Sequence, residues 1–403
     1  MPWMTATPMS QRHEFVRLAY QGRHPITELC IAFGISEKTG HKWLARFAAE
    51  GVPGLGDRSH APHAPPHRLA ASLSAAILAL RTTHPTWGPR KLRAALCTTR
   101  PDLPWPATST IGTLLQRRGL VRRVRRPGGG PARWAPLDQP LTVATAPNDV
   151  WTTDFKGEFR LQSGSYCFPL TVLDAHSRFL LACTALGSTA SAPAQVVFTR
   201  LFHAYGVPRV IRSDNGVPFA SPLALSRLST LAVWWIRLGI RPERIAPGAP
   251  QQNGAHERLH KTLKAEATRP PARTALAQQR RFDHFQREYN TERPHEAVGL
   301  RPPASCYQPS PRPLPRRLPP LEYAPTAEIR RVTAGGTIKW RGTHVWLTTV
   351  LAGQDLALEP TTTEDGWCIS FGSLVLGTFD ARTRCFTPES YWKLDASDVP
   401  SPP

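Results

Sequence analysis

The 403-residue sequence predicts a multidomain protein with an α-helical N-terminal region, an α/β core and a small all-β C-terminal barrel. Three observations support this prediction. The 42 prolines and 28 glycines divide the chain into segments, the first of which have helical patterns. Strand-like and helical patterns alternate over residues 148–305. Short runs typical of strands then follow one another over residues 325–392, as in small barrels.

Positive charge is concentrated in the first two-thirds of the chain. The formal net charge is +21, with +13 over residues 1–147, +8 over residues 148–310 and zero beyond. Such a positive field favours a polyanionic partner, most often nucleic acid. A generally basic proteome would also produce an excess of basic residues. No stretch approaches the roughly 20 apolar residues that cross a bilayer, and the first residues do not resemble a signal peptide. We therefore expect a cytoplasmic, nucleoid-associated protein with no membrane partner.

The sequence argues against several other kinds of site. Its seven cysteines are scattered singly, which disfavours zinc knuckles and a disulfide framework. His60, His63 and His67 look like a metal cluster, but they lie in a proline-rich segment without cysteine partners, so a ligand role is disfavoured. A Walker loop is absent from the sequence, which disfavours an ATP-driven mechanism.

Residues 10–50 predict a helix-turn-helix. A short helix is expected over Ile26–Phe33, and Ser36 is a suitable N-cap for a second helix that runs to about Ala49. The second helix has an apolar back and a basic, hydrogen-bonding front, which suits the DNA major groove. A helical hairpin with a solvated charged face is the alternative. The predicted DNA contacts are Lys38, Thr39, Lys42 and Arg46.

A second helical, DNA-binding unit is predicted over residues 68–120. Its helices are expected at Ser74–Arg81, from Pro89, and from an N-cap at Thr108 or Ser109. Trp87 and Trp105 are expected in its core rather than as base-stacking platforms. A basic linker follows over residues 121–147, where arginines can each neutralise a phosphate. The predicted contacts there are Arg122, Arg123, Arg125 and Arg126.

Three carboxylates of the α/β core are candidates for a single site. Asp154 lies in the first predicted strand, Asp214 ends a later strand before an Asn-Gly turn, and Glu257 lies near the start of a helix. On that helix two lysines share the face of the acid and two leucines lie opposite. Such acids can converge on two Mg²⁺ ions, which prefer oxygen ligands and act on the attacking and leaving oxygens of a phosphodiester. Further DNA contacts are expected from Asn215, Arg258, Lys261 and Lys264.

Each of these signals also has an ordinary structural interpretation. Asp154 could be any strand-end acid, and Asn-Gly is first of all a hairpin turn. A glutamate followed by a lysine four residues later is a common helix pair. Asp174 is a further acid in this region, and we expect it to be a turn residue.

Taken together and in order, the motifs resemble the DDE-type transposases of bacterial insertion sequences, which share an integrase core with retroviral integrases. The matching segments are Trp151–Asp154, Val172–Arg178, Arg212–Gly216, Pro250–Arg258 and Tyr289–His295, with Leu29–Trp43 similar to the helix-turn-helix of these enzymes. The resemblance covers about residues 10–305. It implies an RNase H-like catalytic core over residues 148–305, built on a mixed five-stranded sheet flanked by helices. The C-terminal β region is similar to a small barrel that some relatives append.

The resemblance also implies a function. The chain would bind the terminal inverted repeats of its element, and Asp154, Asp214 and Glu257 would catalyse strand cleavage and strand transfer with two Mg²⁺ or Mn²⁺ ions. It would act on double-stranded DNA as a homodimer or larger assembly. The interval of 43 positions between Asp214 and Glu257 is longer than in many relatives, which leaves Glu243 as a competitor. The alternatives are a catalytically silent DNA-binding regulator and a structure-selective nuclease of the same fold.

Overall fold

The computed structural model describes residues 7–58, 69–121, 141–221, 225, 228–246, 250–363 and 365–388. The chain divides into two compact units, Met1–Ala70 and Ala71–Pro403. The finer division into residues 10–50, 68–120, 121–147, 148–305 and 325–392 stays a prediction. The histidines of the proline-rich segment and the arginines of the basic linker lie outside the described residues; they are His60, His63, His67, Arg122, Arg123, Arg125 and Arg126.

The first unit contains the helices predicted for a helix-turn-helix, preceded by one more. They are α1 (Pro8–Tyr20), α2 (Ile26–Ala32) and α3 (Glu37–Glu50). Ser36 caps α3 as predicted, and its hydroxyl accepts a hydrogen bond from the Thr39 N–H at 3.3 Å. Gly40 allows α3 to approach α2 closely, because a Cβ at this position would lie 2.6 Å from the sulfur of Cys30. The core comprises Phe15, Val16, Leu29, Cys30, Trp43 and Leu55.

The second unit begins with a three-helix segment that packs on the α/β core. Its helices are α4 (Ala71–Thr83), α5 (Pro89–Thr99) and α6 (Thr108–Arg117). The predicted N-cap of α6 is wrong, because Thr108 is already helical and Ala107 occupies the cap position. Trp87 and Trp105 are buried, as expected. His84 Nδ1 lies 2.7 Å from Glu288 Oε1 and fastens this segment to the core.

A mixed sheet forms the centre of the second unit. Its strands are β1 (Val150–Phe155), β2 (Phe159–Arg160), β3 (Tyr166–Asp174), β4 (Leu180–Leu186), β5 (Val210–Ser213) and β6 (Arg241–Arg244). β3 pairs antiparallel with β1 and β4, whereas β5 is parallel to β1 and β6 is parallel to β5. The short β2 pairs with the start of β3. The order β4-β3-β1-β5-β6 is the mixed five-stranded arrangement expected of an RNase H-like core.

Four helices cover the two faces of this sheet. They are α7 (Ser191–Tyr205), α8 (Thr230–Arg237), α9 (Gly254–Glu266) and α10 (Ala275–Thr291). Successive residues of a strand point to opposite faces. Val172 accordingly packs with α7 and α8, whereas the next residue, Leu173, packs with α9 and α10. Within the described residues no helix is long and apolar enough to cross a membrane.

The C-terminal region is all-β, but a closed barrel is not confirmed. Its strands are β7 (Glu328–Arg331), β8 (Thr337–Trp340), β9 (Thr343–Trp346), β10 (Asp355–Pro360), β11 (Gly366–Phe371), β12 (Leu374–Asp380) and β13 (Cys385–Pro388). Five of them form an antiparallel sheet in the order β13-β12-β11-β10-β7, and β8 pairs only with β9 among the described strands. The apolar face of this sheet packs against α8, which contributes Ala232, Val233 and Ile236 to the shared core.

The proline- and arginine-rich segment 308–320 lies across the core instead of forming an element of its own. The Ser310 N–H donates to the Tyr205 carbonyl, and the Val207 N–H donates to the Arg312 carbonyl, both at 2.7 Å. The Arg312 guanidinium also donates to three main-chain carbonyls, at Pro208, Leu238 and Gly239. This segment joins the α/β core to the C-terminal sheet.

Candidate active site

Two of the three candidate carboxylates lie on neighbouring parallel strands. Asp154 is near the end of β1, and Asp214 directly follows β5. The two strands pair as far as Thr152 opposite Arg212, and each acid lies two residues beyond its member of that pair. Both carboxylates are half-buried. Parallel pairing therefore brings together two acids that are 60 positions apart in the sequence.

The third candidate acid is on helix α9, which two histidines fasten to the sheet. His256 Nε2 and His260 Nε2 lie 3.1 and 2.8 Å from the hydroxyl of Thr171 on β3. The same hydroxyl also lies 3.1 Å from the Asp154 carbonyl, to which it can donate. Glu257 lies between the two histidines in sequence and is exposed.

The pKa of Asp154 responds to the charges of the other two candidate acids. Burial, together with the negative charges of Asp214 and Glu257, raises the pKa of Asp154 to about 7. Burial also raises the pKa of Asp214. His260 Nδ1 lies 3.7 Å from Asp154 Oδ2, but burial lowers the pKa of His260 to about 4. The nearby imidazole is therefore neutral at pH 7 and does not balance the carboxylates.

The donor set suits a hard divalent cation, although it is not a compact cluster. Among the described residues, no three His, Cys, Asp or Glu side chains are grouped closely enough to be identified as a metal site. Asp154 and Asp214 are nevertheless half-buried oxygen donors, and the negative charge around Asp154 disfavours its ionisation. A divalent cation between such carboxylates would reverse that effect and favour the charged forms.

The loop after Asp214 holds this carboxylate close to the main chain. The Gly216 N–H donates to Asp214 Oδ1 at 3.1 Å, and a Cβ on Gly216 would lie 3.0 Å from Oδ2. The amide of Asn215 donates to the Ile245 carbonyl at 2.8 Å. Asn215, predicted to contact DNA, therefore has its amide N–H₂ engaged in fixing the loop.

The other two acids considered from the sequence have structural partners. Asp174 is fully buried and accepts from the Asn148 N–H at 2.7 Å and from the Ser177 hydroxyl at 2.6 Å, so it stabilises a turn. Glu243 on β6 accepts from Arg212 Nε at 2.5 Å. Its other carboxylate oxygen accepts from the N–H and hydroxyl of Thr142. Both acids thus have roles in holding the sheet together.

The remaining predicted DNA contacts lie on two surfaces. Arg258, Lys261 and Lys264 are exposed on α9, and the two predicted leucines of this helix are buried. In the first unit Lys38 and Lys42 are exposed on α3, and Arg46 is half-buried. Lys42 and Arg46 lie over the ring of Trp43 at 4.4 and 5.1 Å from its centroid. The hydroxyl of Thr39 lies 3.0 Å from that of Ser36, so Thr39 takes part in capping the helix.

Comparison with known proteins places these elements in a family. The integrase core domain family matches residues 144–250, and a second family of that description matches residues 238–303. Two homeodomain-like domain families match residues 8–56 and 39–115. An uncharacterized 39.2 kDa protein of insertion element IS476 from Xanthomonas euvesicatoria is 31% identical over 244 residues, which cover 60% of this chain and 66% of that protein. The chain therefore has an integrase core preceded by homeodomain-like domains, and it is homologous to proteins of bacterial insertion elements.

Two further proteins are similar to parts of this chain. An uncharacterized 31.7 kDa protein of insertion element IS407 from Burkholderia multivorans is 26% identical over 165 residues, 41% of this chain and 57% of that protein. A structure of the HTLV-2 integrase catalytic core domain in complex with magnesium covers 41% of this chain and 100% of its own, with 14% identity and a TM-score of 0.33. This chain thus spans just under two-thirds of the IS476 protein and less of the IS407 protein.

Within the integrase core, the structure identifies three positioning residues that sequence reasoning missed. His256, His260 and Thr171 form the hydrogen-bonded contact that fixes α9 against β3. The two histidines are four residues apart, and this spacing places them on one helix face beside the buried leucines. The spacing was visible in the sequence, but their common partner on β3 lies more than 80 positions away and was not.

Proposed function

We propose that this chain is a transposase that binds the terminal inverted repeats of its own element and cleaves and joins DNA there. Asp154, Asp214 and Glu257 would be its catalytic residues, and they would hold two Mg²⁺ or Mn²⁺ ions. The protein would act on double-stranded DNA as a homodimer or larger assembly. The observation that supports this proposal most directly is the position of Asp154 and Asp214 at the ends of the paired parallel strands β1 and β5, where the charges of Asp214 and Glu257 raise the pKa of Asp154.

Each part of the integrase core has a role in this reaction. Bound divalent ions would supply charge stabilisation at the attacking and leaving oxygens of the phosphodiester. Lys261 and Lys264, exposed on the face of α9 that carries Glu257, would hold the DNA backbone beside the acids. The first unit would supply sequence preference through α3, where exposed Lys38 and Lys42 can contact DNA.

The test uses a duplex from the DNA that flanks the gene, with its terminal repeat, and maps nicks and joined products in Mg²⁺ or Mn²⁺. Asp154→Asn, Asp214→Asn and Glu257→Gln should each reduce cleavage by about a thousandfold, which corresponds to a loss of about 4 kcal/mol of transition-state stabilisation. Duplex affinity should remain nearly unchanged. Asp102→Asn, which alters an exposed carboxylate of the helical segment, is the matched control and should cut normally.

The results separate this proposal from its alternatives. Tight binding without cleavage by the wild-type protein would favour a catalytically silent regulator. Cleavage that does not depend on the repeat and gives no joined product would favour a structure-selective nuclease. Cleavage that survives all three substitutions would refute the assignment of the catalytic residues.

A further inference from the structure

A cavity of about 350 Å³ lies beside α9. It is enclosed by α5, the turn between β3 and β4, the start of α9, and the Tyr289–His295 segment at the end of α10. None of Asp154, Asp214 and Glu257 lines it. The Tyr289–His295 segment is one of the family motifs in the sequence, and the proposed catalysis gives it no role.

The cavity has an excess of positive charge. Its lining contains four cationic side chains and one carboxylate, Glu296. Two acids engage arginines here, since Glu296 lies 3.7 Å from Arg90 and Glu266 lies 2.8 Å from Arg293. The other three cations of the lining have no ion pair within 4.0 Å among the described residues; they are Lys91, Arg178 and Arg258.

Polar groups without partners also point to a ligand. Arg178 Nε and His295 Nε2 are buried and lack partners among the described residues. Tyr289, which is only 5% exposed, also lines the cavity. An unmade hydrogen bond at a buried group is costly, so such groups favour a molecule that can accept from several of them.

The start of α9 adds to the attraction for an anion. Gly254 and Ala255, the first residues of this 13-residue helix, line the cavity. The N-terminus of a helix carries a partial positive charge and unpaired N–H groups. Burial and the nearby charge of Arg293 together lower the pKa of Lys91 to about 8. An anion in the cavity would favour the protonated lysine.

We infer that this cavity binds one phosphodiester group of the DNA strand, and that the Tyr289–His295 segment exists in this chain to complete that site. The inference rests on the proposed function, because it takes DNA as the ligand. Phosphate oxygens accept hydrogen bonds from arginine, lysine and tyrosine, which are the donors present. Since α9 carries Glu257 next to Arg258, a phosphate held here would fix the strand relative to the catalytic acids.

The first test measures duplex affinity against KCl concentration in EDTA, where no cleavage occurs. Lys91→Met should weaken binding by roughly three- to tenfold and reduce the slope of log affinity against log salt by about 0.9, the loss of one phosphate contact. Arg287→Met, which removes an exposed cation of α10 outside the cavity, is the matched control and should leave the slope unchanged. Equal slopes for wild type and Lys91→Met would overturn the inference.

A second test uses the unaltered protein and so does not depend on a variant that folds. Lysines are acylated in EDTA in three samples, one without ligand, one with duplex and one with inorganic phosphate. The extent of labelling at each lysine is then compared by mass spectrometry. Lys91 should be protected several-fold by duplex, whereas exposed Lys339 on β8 serves as the reference. Equal labelling of Lys91 with and without duplex would overturn the inference, and protection by inorganic phosphate alone would overturn the assignment to DNA.

These measurements are separable from those of the proposed function. Binding and labelling in EDTA report on the cavity whether or not the protein cuts DNA. If Lys91 is protected but the wild-type protein never cleaves, the catalytic proposal fails and the phosphate site stands. If cleavage depends on Asp154 and Lys91 is not protected, the phosphate site fails and the catalytic proposal stands.

Discussion

Asp154→Asn should stabilise the metal-free protein at neutral pH while it abolishes the proposed chemistry. In the folded protein, burial and the charges of Asp214 and Glu257 raise the pKa of Asp154 to about 7. In the unfolded chain this carboxyl ionises near its ordinary value of about 3.9. Between these two values the unfolded state has released the proton and the folded state keeps it. Ionisation therefore favours unfolding, and the folded state loses stability as the pH rises through this window.

The expected size follows from the shift in pKa. A difference of about three pKa units corresponds to about 4 kcal/mol, and this penalty is complete above pH 7. At pH 5 it is only about 1.5 kcal/mol, and by about pH 3 it vanishes. Asparagine cannot ionise, so Asp154→Asn should exceed the wild type in free energy of unfolding by these amounts. The side chain of Asp154 is 24% exposed. It is therefore buried enough that solvent does not screen out this contribution to the free energy of unfolding.

The assay is urea unfolding in EDTA, followed by tryptophan fluorescence, at pH 5 and pH 8. Asp102→Asn removes an exposed carboxylate and should show no such pH-dependent gain. Adding Mg²⁺ should narrow the gap at pH 8, because it stabilises only the wild type, by about 2.7 kcal/mol at a hundred times its Kd. The reasoning would be refuted if the Asp154→Asn protein were no more stable than the wild type at pH 8. It would also be refuted if the gain in free energy of unfolding over the wild type were the same at pH 5 and pH 8.

Three further substitutions test parts of the structure that position the site. His260→Ala removes the 2.8 Å contact with Thr171 and should slow cleavage by roughly 10- to 100-fold, with duplex affinity unchanged. Gly40→Ala forces a Cβ against the sulfur of Cys30 and should cost about 1–3 kcal/mol, seen as faster hydrogen exchange in α3 and weaker preference for the repeat. Arg312→Met leaves three main-chain carbonyls without their donor and should lower the free energy of unfolding by about 2–4 kcal/mol, measured in urea.

Each of these variants has a matched control. His203→Ala changes an exposed histidine of α7 and should cut DNA normally. Gly88→Ala adds a Cβ where nothing lies within 4 Å, so exchange in α3 should not change. Arg316→Met alters an exposed arginine of the same segment as Arg312. If a control variant shows the same change as the variant it is matched to, then loss of the named contact does not explain that change.

Much of the architecture was predictable because it depends on local patterns. Ser36, the N-cap that the sequence predicts, caps α3 through its own hydroxyl. The leucines of α9 are buried opposite its exposed lysines, as helical spacing requires. In contrast, β6 was missed because Arg241–Arg244 is charged and polar. It becomes a strand only because its backbone pairs with β5 and Glu243 meets Arg212 across the pair.

By itself, the sequence determined the order of helical, mixed and all-β segments, the three candidate acids and the excess of positive charge. These properties follow from periodicity, capping and composition, which neighbouring residues define. Only the tertiary structure decided which distant residues meet. The pairing of β1 with β5 brings Asp154 near Asp214, and both histidines of α9 contact Thr171. Lys91 and the Tyr289–His295 segment line the same cavity. The physical reason is that the pattern of side chains along one helix or strand shows which of its faces is buried or charged. Which distant element packs against that face depends on the fold of the whole unit.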